Sequence, residues 1–381
     1  MSEKRDKTLD ILKGIAILFM VMGHASSPIT NFIYMFHMAL FFICSGIFFK
    51  EKYYNTKEDI IYFIKSKVNH LYIPFVLWNG FLILIHNFLL KINIYTNNPD
   101  FIYFTKNEFY GVFLKASSFG LIQPYSFAEM INKILSVFCF CEEVQLGEPT
   151  WFLKVLFWIS LFSVFIHFVL KIFIKNIVYF KIIRLIIYIS LLLTGFLCQK
   201  YGYNFYHTGT MFSCAILYYF GILYGIYKEK INEKFLIFSG ILSFIGLYFS
   251  CYYSGYTDLV KNTYPGIFFL IFNSLTGFIF VLCISKIICK FRFLSNFLSY
   301  MGKHTISILC FHYIGFKIII YIQILLCFKT NSYLLASFPI LTPIKGWWIL
   351  YTVAGISVPL IIVFVWEKIK KLALNNNKNN I

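Results

Sequence analysis

The sequence predicts an all-α polytopic membrane protein of about ten transmembrane helices, with both termini cytoplasmic and one long outer loop between helices three and four. Three observations predict it. Hydrophobic residues fill 59% of the 381 positions and charged residues only 13%, far from the balance of a soluble domain. Apolar runs of roughly 20 residues, the length that crosses a bilayer, recur along the chain. Basic residues then alternate between connections. With the N-terminus inside, cytoplasmic segments hold 23 of the 34 Lys and Arg and outer segments hold eight, as the positive-inside rule requires.

The first run, "LDILKGIAILFMVMGH" from Leu9 to His24, opens the expected span 11–26. No small-residue cleavage site follows it, so it is expected to remain as helix one. Spans 31–49 and 71–90 come next, then the long loop 91–150. Seven more spans follow at 151–170, 185–199, 210–227, 235–253, 265–285, 305–326 and 347–366. Residues 1–372 thus form one transmembrane domain, and 373–381, with "NNNKNN", reads as a disordered polar tail. Inside the long loop, "FIYFTKNEFYGVFLKASSF" and "SFAEMINKILSVFCF" carry aromatic and aliphatic clusters. They are expected to be interfacial helices lying flat on the outer surface.

Several function classes lose support. A net charge of +18 first suggests nucleic acid, but its placement follows topology and suits anionic lipid headgroups. The ten cysteines form no CxxC pair and no metal-ligand spacing, so neither a metal nor a tightly bound cofactor is expected. No matching halves are visible, against a repeat-built transporter. No acidic residue lies inside a span. Asp10 and Glu367 sit at edges, so the midplane carboxylates usual in ion-coupled transporters are missing.

What remains in or near the membrane is histidine and lysine. Lys13 and His24 are 11 residues apart, close to three turns, which places them on one helix face roughly 16 Å apart along the axis. Helix one runs outward, so His24 lies at its outer end. His37, on the returning helix two, is also in the outer half. Glu148 and Trp151 in "GEPTWFLKVLF" start helix four at the same level. Lys65, Lys67 and His70 stand at the cytoplasmic entrance to helix three. On helix nine, His312 lies about two turns in from the cytoplasm, with Lys317 further along. The outline is a basic mouth inside and a histidine-bearing site toward the outside.

These segments resemble the membrane-bound acyltransferase family 3, in particular its fucose-4-O-acetylase-like and polysaccharide O-acetyltransferase branch. The resemblance covers nearly the whole chain. It rests on "LDILKGIAILFMVMGH", "FHMALFFICSGIFF", "KSKVNHLYIP", "TWFLKVLF" and "GKHTISILCFH". It implies ten helices and transfer of an acyl group, usually acetyl from acetyl-CoA as co-substrate, to a hydroxyl of a glycan or lipid-linked sugar. The setting would be a plasma or bacterial inner membrane, with membrane lipids as partners and no nucleic acid. Two positions depart from the family pattern. Its common arginine ten residues before the histidine is here Lys13, which keeps the charge and loses the bidentate fork. Its paired arginines before the proline are here Lys67 and His70.

Acyl transfer needs a base, an oxyanion stabiliser and a grip on the donor. Histidine is the natural base among the residues placed inside. His24 is the expected catalytic residue, as base or as nucleophile, against the blander role of a side chain snorkelling at a helix end. His37 is the second catalytic candidate, to orient His24 or stabilise the oxyanion, or else a buried histidine bonded to a carbonyl. Lys13, Lys65 and Lys67 are donor-binding candidates, although topology alone accounts for basic residues there. Glu148 and Trp151 are acceptor-binding candidates, against a solvated loop charge and an aromatic-belt residue. His312 and Lys317 form a third polar spot without an assigned role. The rival classes are a glycan or lipid transporter without covalent chemistry and a scaffold subunit of a surface-polymer assembly.

Overall fold

The computed structural model describes residues 6–106, 108–109, 112–113, 119–253, 256–328, 332–343 and 346–378. Helix α1 (Lys7–His24) begins where the Asp6 carboxylate accepts from the backbone N–H groups of Thr8 and Leu9, satisfying donors a helix start leaves open. The second span arrives in two pieces, α2 (Thr30–Tyr34) and α3 (His37–Ile47). A polar helix, α4 (Lys57–Lys67), starts on a reciprocal cap between Thr56 and Asp59. The third span is broken into a π-helical turn (Val68–Tyr72), α5 (Ile73–Leu84) and α6 (His86–Lys91).

The outer segment that follows holds α7 (Asp100–Lys106), a two-residue antiparallel hairpin of β1 (Glu108–Phe109) and β2 (Val112–Phe113), and α8 (Phe127–Phe138). The rest is helical: α9 (Trp151–Phe173), α10 (Ile177–Lys200), α11 (Thr208–Tyr227), α12 (Glu233–Tyr253), α13 (Ile267–Ile288), α14 (Arg292–Lys303), α15 (Thr305–Gln323) and α16 (Trp347–Lys378). Among the described residues, eight helices are long and apolar enough to cross a membrane. The other two expected spans are helical as well. Helix α1 is only 18 residues long and carries Lys7, Asp10 and Lys13, and the third span is interrupted.

Helix α1 is the axis of the bundle, packed against α3, α13, α14, α15 and α16. Its cytoplasm-proximal half is crossed by α14 at two glycines. Gly14 lies against the backbone of Leu298, and Gly302 against that of Asp10; a Cβ at either position would collide with a carbonyl. Helix α15 follows directly after this crossing, and two turns into it the His312 ring comes within 5.4 Å of that of His24.

Two expectations are corrected. Segment 126–140 does not lie flat on the outer surface. Its helix α8 runs antiparallel alongside α6 and α5: Asn87 and Tyr125 exchange two hydrogen bonds of 2.8 Å at one end, and Tyr72 donates to the Phe138 carbonyl at 2.9 Å at the other. The reason is that α8 is apolar on two sides. Ile134 and Val137 meet Val76, Gly80 and Leu84 on α5, while Phe127, Ile131 and Leu135 face outward. Much of the other loop segment, 101–119, lies outside the described residues. The Asn-rich tail is likewise not irregular from residue 373, since α16 continues to Lys378. An established helix extends by one hydrogen bond per residue, and asparagine weakens that extension without blocking it.

Candidate active site

The chain from α8 to α9 folds back into the bundle. Residues 144–150 are almost wholly buried, and Asn79 on α5 holds them. The Asn79 amide donates to Thr150 Oγ1 (2.9 Å) and to the Phe75 carbonyl (3.0 Å), and its oxygen accepts from the Val144 N–H (3.3 Å). Thr150 closes the turn by donating to the Gly147 carbonyl at 2.6 Å. Gly147 sits directly on Asn79, with no room for a side chain. The product of this clamp is a fixed position for Glu148.

Glu148 faces the end of α1 and the middle of α15. The Tyr313 hydroxyl lies 3.1 Å from His24 Nδ1 and donates, at 3.5 Å, to Glu148 Oε2. When its proton points at Glu148, the hydroxyl accepts from His24 Nδ1–H. The His24 lone pair is then on Nε2, where a base needs it. His312 completes the cluster. Its ring is 5.4 Å from that of His24 and 4.0 Å from that of Tyr313. His312 Nδ1 lies 3.1 and 3.0 Å from the carbonyls of Ile308 and Leu309, and Nε2 is buried with no hydrogen-bond partner among the described residues. A carbonyl beside Nδ1 requires the proton there, so Nε2 of His312 is an acceptor.

A polar rim surrounds this centre. Tyr34 rests on Gly23 and stacks on Tyr256 at 4.9 Å; Tyr34 and Tyr256 are both close enough to Asp258 and Glu148 to feel their charge. Burial and then the Asp258 charge push the Tyr256 phenol up to about 12. Beside it, Glu143 pairs with Lys154 and lies 3.6 Å from His207 Nε2. Burial opposes ionisation of Glu143, but the His207 hydrogen bond and the Lys154 charge outweigh it and hold the carboxyl below its ordinary range.

The structure brings together three of the expected residues, His24, His312 and Glu148. His37 stands one layer away: its Nδ1 is bonded to the Ile33 carbonyl at 3.0 Å and its ring packs on Tyr34 at 4.8 Å. Trp151 is buried, tilted against His207 at 5.6 Å. Lys317 is buried and donates to the carbonyls of Leu335 (2.7 Å), Ser337 (2.9 Å) and Ile94 (3.4 Å), which ties two outer segments to α15.

At the opposite end lies a cavity of about 910 Å³, lined by Lys13, Lys50, Arg184, Lys228, Tyr54 and four carboxylates among others. Lys13 enters it across the Phe48 ring at 4.5 Å. Lys67 stands over Phe63 at 5.0 Å; burial, with the Lys13 charge adding to it, brings its ammonium down to about 8. Lys65 and His70 are exposed, and His70 is bonded to the Ser66 carbonyl at 2.7 Å. His24 does not line this cavity.

Sequence patterns could not single out Tyr313, Tyr34, Asn79 or Arg184 among 28 tyrosines and many basic residues. The three loop carboxylates also enter the interior by folding, so histidine is not the only buried titratable type near the centre. One signal for Tyr313 was available: it follows His312 directly in "GKHTISILCFH".

The fold and the cluster define a class: a polytopic membrane protein with a titratable centre inside the bundle and a charged cavity at one end. The family profile described as "Acyltransferase domain" matches residues 6–366. The chain belongs to the membrane-bound acyltransferase family 3 and is an integral membrane acyltransferase. No curated protein and no solved structure gives a significant match to the chain.

Proposed function

We propose that the protein moves an acetyl group from acetyl-CoA to a hydroxyl of a cell-surface glycan or its lipid-linked precursor. The observation that carries the proposal is the hydrogen-bonded series His24–Tyr313–Glu148, at the end of the same helix that brings Lys13 into a charged cavity. The donor enters that cavity from the cytoplasm, with Lys13 taking its phosphate or pantetheine portion as a point charge. The acceptor hydroxyl docks near Glu148, whose carboxylate accepts a sugar hydroxyl. His24 takes the hydroxyl proton, the oxygen forms a bond to the acetyl carbonyl carbon, and the carbon–sulfur bond breaks to release the CoA thiol. In the alternative order, His24 receives the acetyl group first and the sugar oxygen then displaces it. In either order the Tyr313 hydroxyl steadies the imidazole as its charge changes.

The test compares wild type with His24→Ala at matched membrane expression, following labelled acetyl from acetyl-CoA into extracted glycans. Label incorporated by wild type alone supports the proposal. Equal incorporation by both removes His24 from the chemistry and moves the role to His312. A wild type that binds and moves glycan without acetylating it gives the transporter alternative.

A further inference from the structure

Arg184 is the most unusual charge in the molecule. It lies in the first turns of α10 and is only 5% exposed, yet it lines the charged cavity that Lys13 enters. Its guanidinium is held by its faces, 5.4 Å from the Phe180 ring and 5.2 Å from that of Tyr219. Tyr219 is itself stacked on Tyr188 at 4.5 Å. Its Nε is buried without a hydrogen-bond partner, and no carboxylate among the described residues forms an ion pair with it.

Burying a charge without a counterion is costly. Two of the four carboxylates around the cavity are engaged elsewhere: Asp6 is 3.5 Å from Lys228, and Glu51 is 3.0 Å from Lys171. Two aromatic rings flank the guanidinium carbon and supply no hydrogen-bond acceptor, and Nε has none. A planar donor fork of this kind matches a phosphate in two parallel hydrogen bonds. The cavity volume lies at the upper end of the roughly 300–1,000 Å³ usual for small-molecule and cofactor sites.

We propose that Arg184 is the phosphate receptor of this cavity, binding the diphosphate of a nucleotide-linked acyl thioester. The identity of that ligand rests on the acetyl-CoA reading above; the need for an anion at Arg184 does not. Lys13, on α1, then serves a different part of the donor. Arg184 touches the donor and none of the reacting atoms.

The experiment measures binding of three probes to the purified full-length protein in lipid nanodiscs, for wild type, Arg184→Gln and Arg184→Lys. The probes are CoA, inorganic pyrophosphate and phosphate-free acetyl-pantetheine. The expected result is that Arg184→Gln weakens CoA and pyrophosphate by about 10- to 100-fold, that Arg184→Lys recovers part of the loss, and that acetyl-pantetheine is bound equally by all three proteins. Equal CoA and pyrophosphate binding by Arg184→Gln and wild type would overturn the assignment and leave the acetyl-CoA reading standing. Pyrophosphate binding that depends on Arg184, with CoA ignored by wild type, would keep the anion site and overturn the acetyl-CoA reading instead. A uniform loss of all three probes in Arg184→Gln would mark a structural role and overturn the assignment. The pantetheine control therefore separates misfolding from lost phosphate contact.

Discussion

The hydroxyl of Tyr313 lies 3.1 Å from Nδ1 of His24, although 289 residues separate them. One helix supplies the imidazole and another supplies the group that fixes its tautomer. Replacing Tyr313 by Phe keeps the ring packing and removes only that hydroxyl. Acetyl transfer should fall about 10- to 100-fold in kcat, with KM for acetyl-CoA little changed. Steady-state kinetics on the purified variant check this, and an unaltered kcat would take Tyr313 out of the site.

Lys13 is separated from His24 by three turns of α1 and lines the charged cavity at the other end. Lys13→Met should raise KM for acetyl-CoA about 10- to 100-fold, the scale of a lost charge-assisted hydrogen bond. Lys13→Arg should keep most of the affinity, since the cavity around Lys13 and Phe48 retains a cation. Parallel measurement of kcat distinguishes this from damage to His24, which would lower turnover at saturating donor.

Asn79 makes two hydrogen bonds to the turn carrying Glu148 and a third to its own helix, at the Phe75 carbonyl. Asn79→Ala leaves the Val144 N–H without its acceptor and frees the Thr150 hydroxyl side of the turn. Stability should drop by about 2 kcal/mol, seen as a lower midpoint of thermal unfolding in detergent. Activity should fall further than stability, because Glu148 loses its fixed position. A variant that melts lower but keeps full activity would separate the clamp from the site.

Glu143 is held below its ordinary carboxylate range by His207 and Lys154. A depressed carboxylate contributes stability that is complete above its unfolded pKa and is lost as pH falls through its folded pKa. Wild type should therefore lose stability as pH drops below about 4.5, the unperturbed value for this group. Glu143→Gln should be less stable at neutral pH and show a flatter profile across that acidic window. Melting curves from pH 7 to pH 3.5 test the sign.

Most of the architecture was legible because bilayer length and basic-residue placement are one-dimensional properties. All ten expected spans are helical segments, and His24 and Glu148 do meet. His312 does lie two turns into α15, but counting turns along one helix could not show that its ring comes within 5.4 Å of that of His24 on another. Glu148 looked like a loop charge because hydropathy cannot register a polar segment that folds back among helices. Tyr313 was hidden by composition: among 28 tyrosines only its place directly after His312 set it apart, and its neighbours in space give it a role. Trp151, read from its helix start as an aromatic-belt or acceptor-binding residue, is buried beside His207 in the folded chain.

The outward face of α8 has a consequence for how the protein is handled. Phe127, Ile131 and Leu135 project from a helix whose other side supports α5, and the chain leaving α8 leads directly into the buried turn before α9. In a bilayer, acyl chains are expected to solvate that face. The support that α8 gives to α5 and to the turn holding Glu148 then depends on what surrounds the protein, and activity should respond to acyl-chain length before any helix unfolds.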